Sequence, residues 1–387
     1  MPGAVRVTTY REFRDRLSDK AAGRRIPVFG GLDVTRRCNM RCSHCYVRCE
    51  EQPLGEDLSY EQICGILDEV ASAGCLWITL TGGEPFVRSD FLDIYRHAKS
   101  KGFLVTVYTN GTLIDSNVVA CLAESMPYMV EVSAYGATAE TYEGITNRPG
   151  SFEAFMSGIR LLHDAGIPLL LKTPLLSVNV RELPDIEALA ESLGVELMCD
   201  TYVIPRLNRD ADPVSLRMPI EQAASLRRRL MGRLDPSCLP RPGDPAASSD
   251  DLFTCLAGKR SFHISAEGYL EICPVYRTSE FRLLEAPFLE GWNRYIPTLV
   301  DRKLGADHKC RRCRLRPVCA LCPAKAKLET GDDEGVVDYY CQAAELLAAE
   351  LGWDAPEATA PAAGTSRRIS QPAPQVTPPV AGERRGT

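Results

Sequence analysis

From Ile26 onward, short apolar, β-branched runs alternate with longer stretches whose apolar residues recur at helical spacing. Residues around Val28 to Val34 predict a first strand. Ser59 and Gln62 then form a capping box ahead of a helix that stops at Gly74. Trp77 to Leu80 predicts a second strand, followed by a helix from about Asp90 to Lys101, ended by Gly102. A third strand, Leu104 to Tyr108, runs into Thr109, Asn110 and Gly111, and a helix near Asn117 to Glu124 precedes a fourth strand, Met129 to Ser133. Two helical pieces, the second from Ser151 to Ala165, lead to a fifth strand at Leu169 to Thr173. A helix near Leu183 to Leu193 leads to the sixth, Val195 to Val203. Six strand-then-helix units predict an α/β fold with a parallel sheet and helices outside it. Ligands in such folds sit at the carboxyl ends of the strands. Periodicity alone leaves both a closed barrel and an open sheet.

The chemistry falls at those strand ends. The first strand delivers VTRRCNMRCSHCYVRCE, where Cys38, Cys42 and Cys45 are spaced C-x3-C-x2-C. Three thiolates this close in sequence converge on one metal centre without help from distant chain, and soft thiolates select zinc, copper(I) or iron–sulfur clusters. A structural zinc site wants four closed ligands. A four-iron cluster normally takes four cysteines, so three leave one iron open. Cys49 is a conceivable fourth ligand, and a small structural metal loop is the plainer alternative. The second strand ends in Gly82, Gly83, Glu84 and Pro85. Glycines there let the backbone turn and approach a ligand closely, while Glu84 offers a carboxylate to an ammonium group.

The cysteine run and the GGEP segment one helix later together resemble the radical S-adenosylmethionine (SAM) superfamily. The resemblance implies a partial (β/α)6 barrel over residues 26–205. It also implies a [4Fe–4S] cluster on Cys38, Cys42 and Cys45 whose free iron chelates the amino acid end of SAM. Tyr46 would pack beside that ligand, and the segment Gly82, Gly83, Glu84, Pro85 would bind the SAM amino group. Ser133 matches a position that touches the SAM ribose, although an aspartate usual two residues later is Tyr135 here. Asn110 either lines the same cavity or belongs to plain turn chemistry. Arg148 aligns loosely with a contact to the SAM carboxylate, and Lys172 faces either the cavity or a helix-side ion pair.

Residues 206–250 change character, with Arg227, Arg228 and Arg229 on a solvated helix face and then a proline-, glycine- and serine-rich loop. Beyond them Cys255, Gly268 and Cys273 precede Cys310, Cys313, Cys319 and Cys322, and Cys341 follows. Paired C-x2-C units alone also suit a zinc ribbon. The seven cysteines in this order resemble the SPASM domain, which holds two auxiliary iron–sulfur clusters, and HISAEGYLEICP has that domain's hairpin pattern with Gly268 at the turn. The resemblance groups Cys310, Cys313, Cys319 and Cys341 on one cluster, and Cys255, Cys273 and Cys322 on the other. The usual C-x3-C ending is C-x2-C here, and the second group lacks a visible fourth ligand, with Cys238 a conceivable one. Cys64, Cys75, Cys121 and Cys199 are expected as buried small hydrophobes.

Length and charge narrow the setting. A chain of 387 residues buries a sizeable core. A net charge of −6 with well-mixed charges gives no basic footprint for nucleic acid. No apolar run is long enough to span a bilayer, and the first 25 residues form a polar lead-in without a secretory signal. Sixteen cysteines without such a signal point to metal ligation in a reducing, cytoplasmic setting. The small cysteine-rich domain is expected over residues 251–345 and a disordered tail over 346–387. The resemblance implies reductive cleavage of SAM to a 5′-deoxyadenosyl radical, which takes hydrogen from a peptide or protein to give a thioether or carbon–carbon crosslink. Three [4Fe–4S] clusters, a flavodoxin- or ferredoxin-type reductant and a separate leader-peptide-binding partner go with that expectation. The alternatives are an enzyme of haem or other small-molecule cofactor synthesis, and a non-enzymatic electron-transfer module.

Overall fold

The computed structural model describes residues 24–47, 56–232, 239–241 and 249–353. Cys49 and Cys238, nearly all of the polar lead-in and the tail beyond residue 353 lie outside them. The first six strands are β1 (Phe29–Thr35), β2 (Trp77–Gly82), β3 (Leu104–Thr109), β4 (Met129–Ser133), β5 (Leu169–Pro174) and β6 (Glu196–Asp200). Between them run α1 (Tyr60–Ser72), α2 (Phe91–Ser100), α3 (Ser116–Glu124), α4 (Ala139–Thr146), α5 (Ser151–Asp164) and α6 (Leu183–Ser192). The helix starts follow local chemistry. Ser59 and Gln62 close the expected capping box on α1, and Asp115 accepts from the Asn117 and Val118 amides at the head of α3.

One face of the sheet is apolar and covered. Leu32, Val34, Ile78, Leu80, Val105, Val107, Val130 and Val132 are buried in one cluster with α1 and α2 residues such as Ile63, Leu67, Ile94 and Tyr95. Alternation puts Asp33, Tyr108, Glu131 and Lys172 on the other face, the inner wall of the partial barrel. Lys172 pairs there with Glu131 and lies 3.8 Å from the Tyr108 ring centroid. Its ion pair is therefore on the inner face, away from the helices.

The sheet does not stop at six strands. Its order is β6-β5-β4-β3-β2-β1-β7-β8, where β7 is Ser261–Ile264 and β8 is Leu270–Glu271. The expected hairpin is present, antiparallel, with Gly268 at φ +87° between its strands. Its first strand pairs parallel with β1, so the cysteine-rich region extends the barrel sheet. Phe262, Ile264 and Trp292 belong to the same buried cluster as Leu32. Gly30 and Gly31 permit this: a Cβ at Gly30 would lie 2.5 Å from Phe262 Cζ, and one at Gly31 would lie 2.6 Å from His263 Nδ1.

The bridge carries α7 (Ile220–Met231), and the C-terminal region ends in α8 (Pro323–Thr330) and α9 (Asp338–Glu350). The last of these runs past the expected boundary at residue 346. The arginines of α7 are not simply solvated, because Arg227 donates to the Tyr202 hydroxyl and Arg229 pairs with Glu187 at 2.5 Å. Of the four cysteines expected in the core, Cys75 and Cys121 are buried, while Cys64 and Cys199 are only half-buried. No helix among the described residues is long and apolar enough to cross a membrane.

Candidate active site

The loop after β1 is clipped to the end of β2. The Gly83 amide donates to the Thr35 carbonyl at 2.8 Å, and the Glu84 amide donates to the Arg37 carbonyl at 2.9 Å. Gly82 stands at φ +136°, and a Cβ there would come within 2.2 Å of the Thr35 oxygen. A Cβ on Gly83 would reach 2.3 Å from the Arg37 oxygen. The close approach that needs these glycines is to the cysteine loop, where the sequence had suggested a ligand. Pro85 is buried at the start of a short 3-10 turn, Pro85–Val87.

Glu84 is fully buried. Its carboxylate accepts from Thr109 Oγ1 at 2.8 Å, the Asn110 amide at 2.7 Å and the Phe86 amide at 3.2 Å. Burial pushes it up to about 7 against the pull of those three donors. A carboxylate has roughly four acceptor positions, so one remains for a further donor. Asn110 also donates through Nδ2 to Asn39 Oδ1 at 2.8 Å, which fastens the end of β3 to the cysteine loop. Arg148 donates to the Asn39 carbonyl at 3.0 Å. Ser133 lies at the end of β4, and its carbonyl accepts from Tyr142 Oη at 3.4 Å.

Cys38, Cys42 and Cys45 gather beside this knot. Burial pushes Cys38 up to about 11, and Glu84 and Cys45 push it further against the Met40 amide. Burial raises Cys42 strongly too, with Cys45 and Cys38 adding to it and the Tyr135 hydroxyl opposing. Three thiols brought together in this way form a donor set suited to a cationic metal centre, which removes their protons on binding. His44 packs against Tyr135 with ring centroids 4.9 Å apart. Its Nδ1 has no hydrogen-bond partner, and burial lowers it to about 4.

Residues 32–190 match the model of the radical SAM superfamily. They form a radical SAM domain. The chain is 28% identical to the AdoMet-dependent heme synthase of Methanosarcina barkeri, over 78% of this chain and 92% of that protein. It is 26% identical to the PqqA peptide cyclase of Granulibacter bethesdensis, over 81% and 87%. Streptococcus suis SuiB bound to S-adenosylmethionine has a similar fold at TM-score 0.66 and 13% identity, over 88% and 84% of the two chains.

Beyond the radical SAM domain the remaining thiols fall into two groups. Burial pushes Cys273 up to about 12, and Cys322 and Cys255 add to it. Burial likewise pushes Cys319 up to about 11, reinforced by Cys341, Cys310 and Cys313. Cys255, Cys310, Cys319 and Cys322 line a cavity of about 100 Å³ between the groups. Among the described residues no three His, Cys, Asp or Glu side chains are arranged around a single metal ion.

Burial raises the Tyr46 phenol, with Asp33, Cys45 and Cys273 adding to that and Arg277 opposing it. The phenol thus feels both the first thiol set and the Cys273 loop. That loop also sends Arg277 into the radical SAM domain, where Nη2 meets Asp33 Oδ2 at 2.6 Å. His263 Nε2 stands 3.0 Å from the other Asp33 oxygen. Burial works against the charge on Asp33, yet His263 and Arg277 hold it at about 2. Sequence reasoning missed Asp33, Asn39 and Arg277. Thr109 stood there only as part of a strand-end turn, and Tyr135 only as the departure from the usual aspartate.

Proposed function

We propose that this radical SAM enzyme binds SAM and three [4Fe–4S] clusters and removes a hydrogen atom from a peptide, opening the way to a crosslink. The observation that carries the reading is the meeting of Cys38, Cys42 and Cys45 with buried Glu84 at the carboxyl ends of β1 and β2. In this reading the three thiols hold the first cluster, and Glu84 takes the SAM ammonium on its remaining acceptor position. Gly82, Gly83 and Pro85 keep that carboxylate and the loop in register, while Asn110, Ser133 and Tyr46 line the SAM cavity. Cys310, Cys313, Cys319 and Cys341 would hold one auxiliary cluster, and Cys255, Cys273 and Cys322 the other. When bound, the first cluster supplies the one-electron reduction that turns SAM into a hydrogen-abstracting agent. The inner wall excludes water and fixes which substrate C–H lies nearest.

Similarity to the PqqA peptide cyclase over most of both chains supports a peptide substrate. The heme synthases match over a comparable length and support a second reading, a tetrapyrrole in the same cavity. Anaerobically reconstituted protein with SAM and dithionite tests both. It is expected to hold roughly twelve irons and to release 5′-deoxyadenosine. Replacing Cys38, Cys42 and Cys45 by Ala should remove about a third of the iron and all of that product. A mass change in a candidate precursor peptide favours the first reading, and conversion of Fe-coproporphyrin III the second. Zinc in place of iron, or no 5′-deoxyadenosine, overturns both.

A further inference from the structure

The segment from Arg302 to Arg316 contains seven basic residues and one acidic one, on a chain whose net charge is −6. Four of the basic residues, Lys309, Arg311, Arg312 and Arg314, alternate with Cys310 and Cys313. Several basic groups of the segment are partly neutralised. Lys303 and Arg311 face Asp250 at 2.9 and 3.5 Å, Lys309 faces Asp338 at 3.9 Å, and Arg302 pairs with Asp333. Arg316 turns inward to the Ser249 and Asp251 carbonyls. Arg312 and Arg314 stay exposed, and Arg312 makes no ion pair among the described residues. The positive charge thus projects where the thiols of Cys310 and Cys313 are only half-buried.

We propose that this basic knuckle is the docking surface for a small acidic one-electron carrier protein. The inference rests on the radical SAM reading, because cleaving SAM requires an electron from outside. Cys310, Cys313, Cys319 and Cys341 would hold an iron–sulfur group able to take one electron from the reduced carrier, which would itself be oxidised by one. No bond is made or broken in that step. Opposite charge steers such an encounter and sets its rate more than its final affinity. Inward of this surface, Cys319 Sγ lies 3.9 Å from the Tyr340 carbonyl, and Cys310 and Cys319 line one cavity with Cys322 and Cys255. The first thiol set has arginines as well, but Arg36 is taken by Glu267 at 2.9 Å and Arg37 by Asp57 at 3.2 Å.

The test uses the reconstituted full chain and an acidic flavodoxin. In the double variant Arg312→Glu/Arg314→Glu, flavodoxin-driven formation of 5′-deoxyadenosine should fall about tenfold at low salt. Dithionite-driven formation and iron content should match the parent. Calorimetric affinity for oxidised flavodoxin should fall with the rate, and in the parent it should weaken as salt rises to about 0.5 M and screening tightens. Lys309→Glu provides a second variant should the double one lose iron. An unchanged rate of flavodoxin-driven 5′-deoxyadenosine formation in the variants overturns the proposal. So does a loss that follows Arg37→Glu/Arg41→Glu instead. If dithionite too gives no 5′-deoxyadenosine, the radical SAM reading fails, while the calorimetry still reports on docking.

Discussion

Glu84 is held by three donors and has no exposed surface, so alanine is a poor probe of it: Thr109 and two amides would lose their partner together. Glu84→Gln keeps the shape and removes the charge. It should weaken SAM binding by about 1.5–3 kcal/mol, the worth of a hydrogen bond to a charged group, with iron content unchanged. Calorimetry checks this, and parent-like affinity would remove Glu84 from the SAM site. The pH dependence has a definite sign. Since burial raises Glu84 from 4.5 to about 7, the native state keeps a proton that the unfolded chain has lost across that interval. Stability of the SAM-free protein therefore declines as pH climbs through it. An ammonium ligand needs the ionised carboxylate, so SAM affinity should rise over the same interval, and Glu84→Gln should flatten that slope. The local parts of the site were legible because Cys38, Cys42, Cys45 and the GGEP turn each sit within a few residues of sequence. The use of Gly82 and Gly83 was not, since it depends on where the Thr35 and Arg37 carbonyls come to lie.

Among the elements, the first five strands and their helices fall where hydrophobic alternation puts them. The sixth is shorter than expected. It is a half-exposed edge strand, and the Tyr202 amide turns back onto Asp200 Oδ1 at 3.0 Å. Apolar residues from Val195 to Val203 signal burial, which α7 and α9 also supply, so alternation could not fix the strand's ends. Pairing of β7 with β1 was invisible for another reason: a four-residue strand has the same pattern in an isolated hairpin as in an extended sheet. Gly30 and Gly31 are the trace it leaves in β1. Gly30→Val should force Phe262 and Ile78 aside and cost about 1–3 kcal/mol, as overpacking does. Thermal unfolding measures this, and an unchanged midpoint would mean that β7 can leave β1 freely.

Across the whole molecule, Arg277 and Asp33 join the auxiliary thiol region to the barrel. Arg277→Met leaves the buried Asp33 carboxylate with only His263 as its charged partner and should destabilise by about 1–3 kcal/mol. Adding Asp33→Asn should restore much of that loss, whereas additive losses would show the pair to be uncoupled. With dithionite as reductant, Cys255→Ala or Cys273→Ala should keep reductive cleavage of SAM but lower substrate turnover much further, read as 5′-deoxyadenosine beside product by mass spectrometry. Normal product from both variants would make that thiol group structural. The Arg277–Asp33 pair was not legible in the sequence because its partners lie 244 residues apart. That separation also governs the order of assembly. Ser261 pairs beside Phe29, so during synthesis the β1 edge waits for about 230 residues to be added. At roughly 5–20 residues per second this takes some 10–50 seconds. Through that interval the nascent chain carries an uncapped, aggregation-prone strand edge next to three free thiols, which makes chaperone cover and low oxygen during translation the practical conditions for obtaining this enzyme intact.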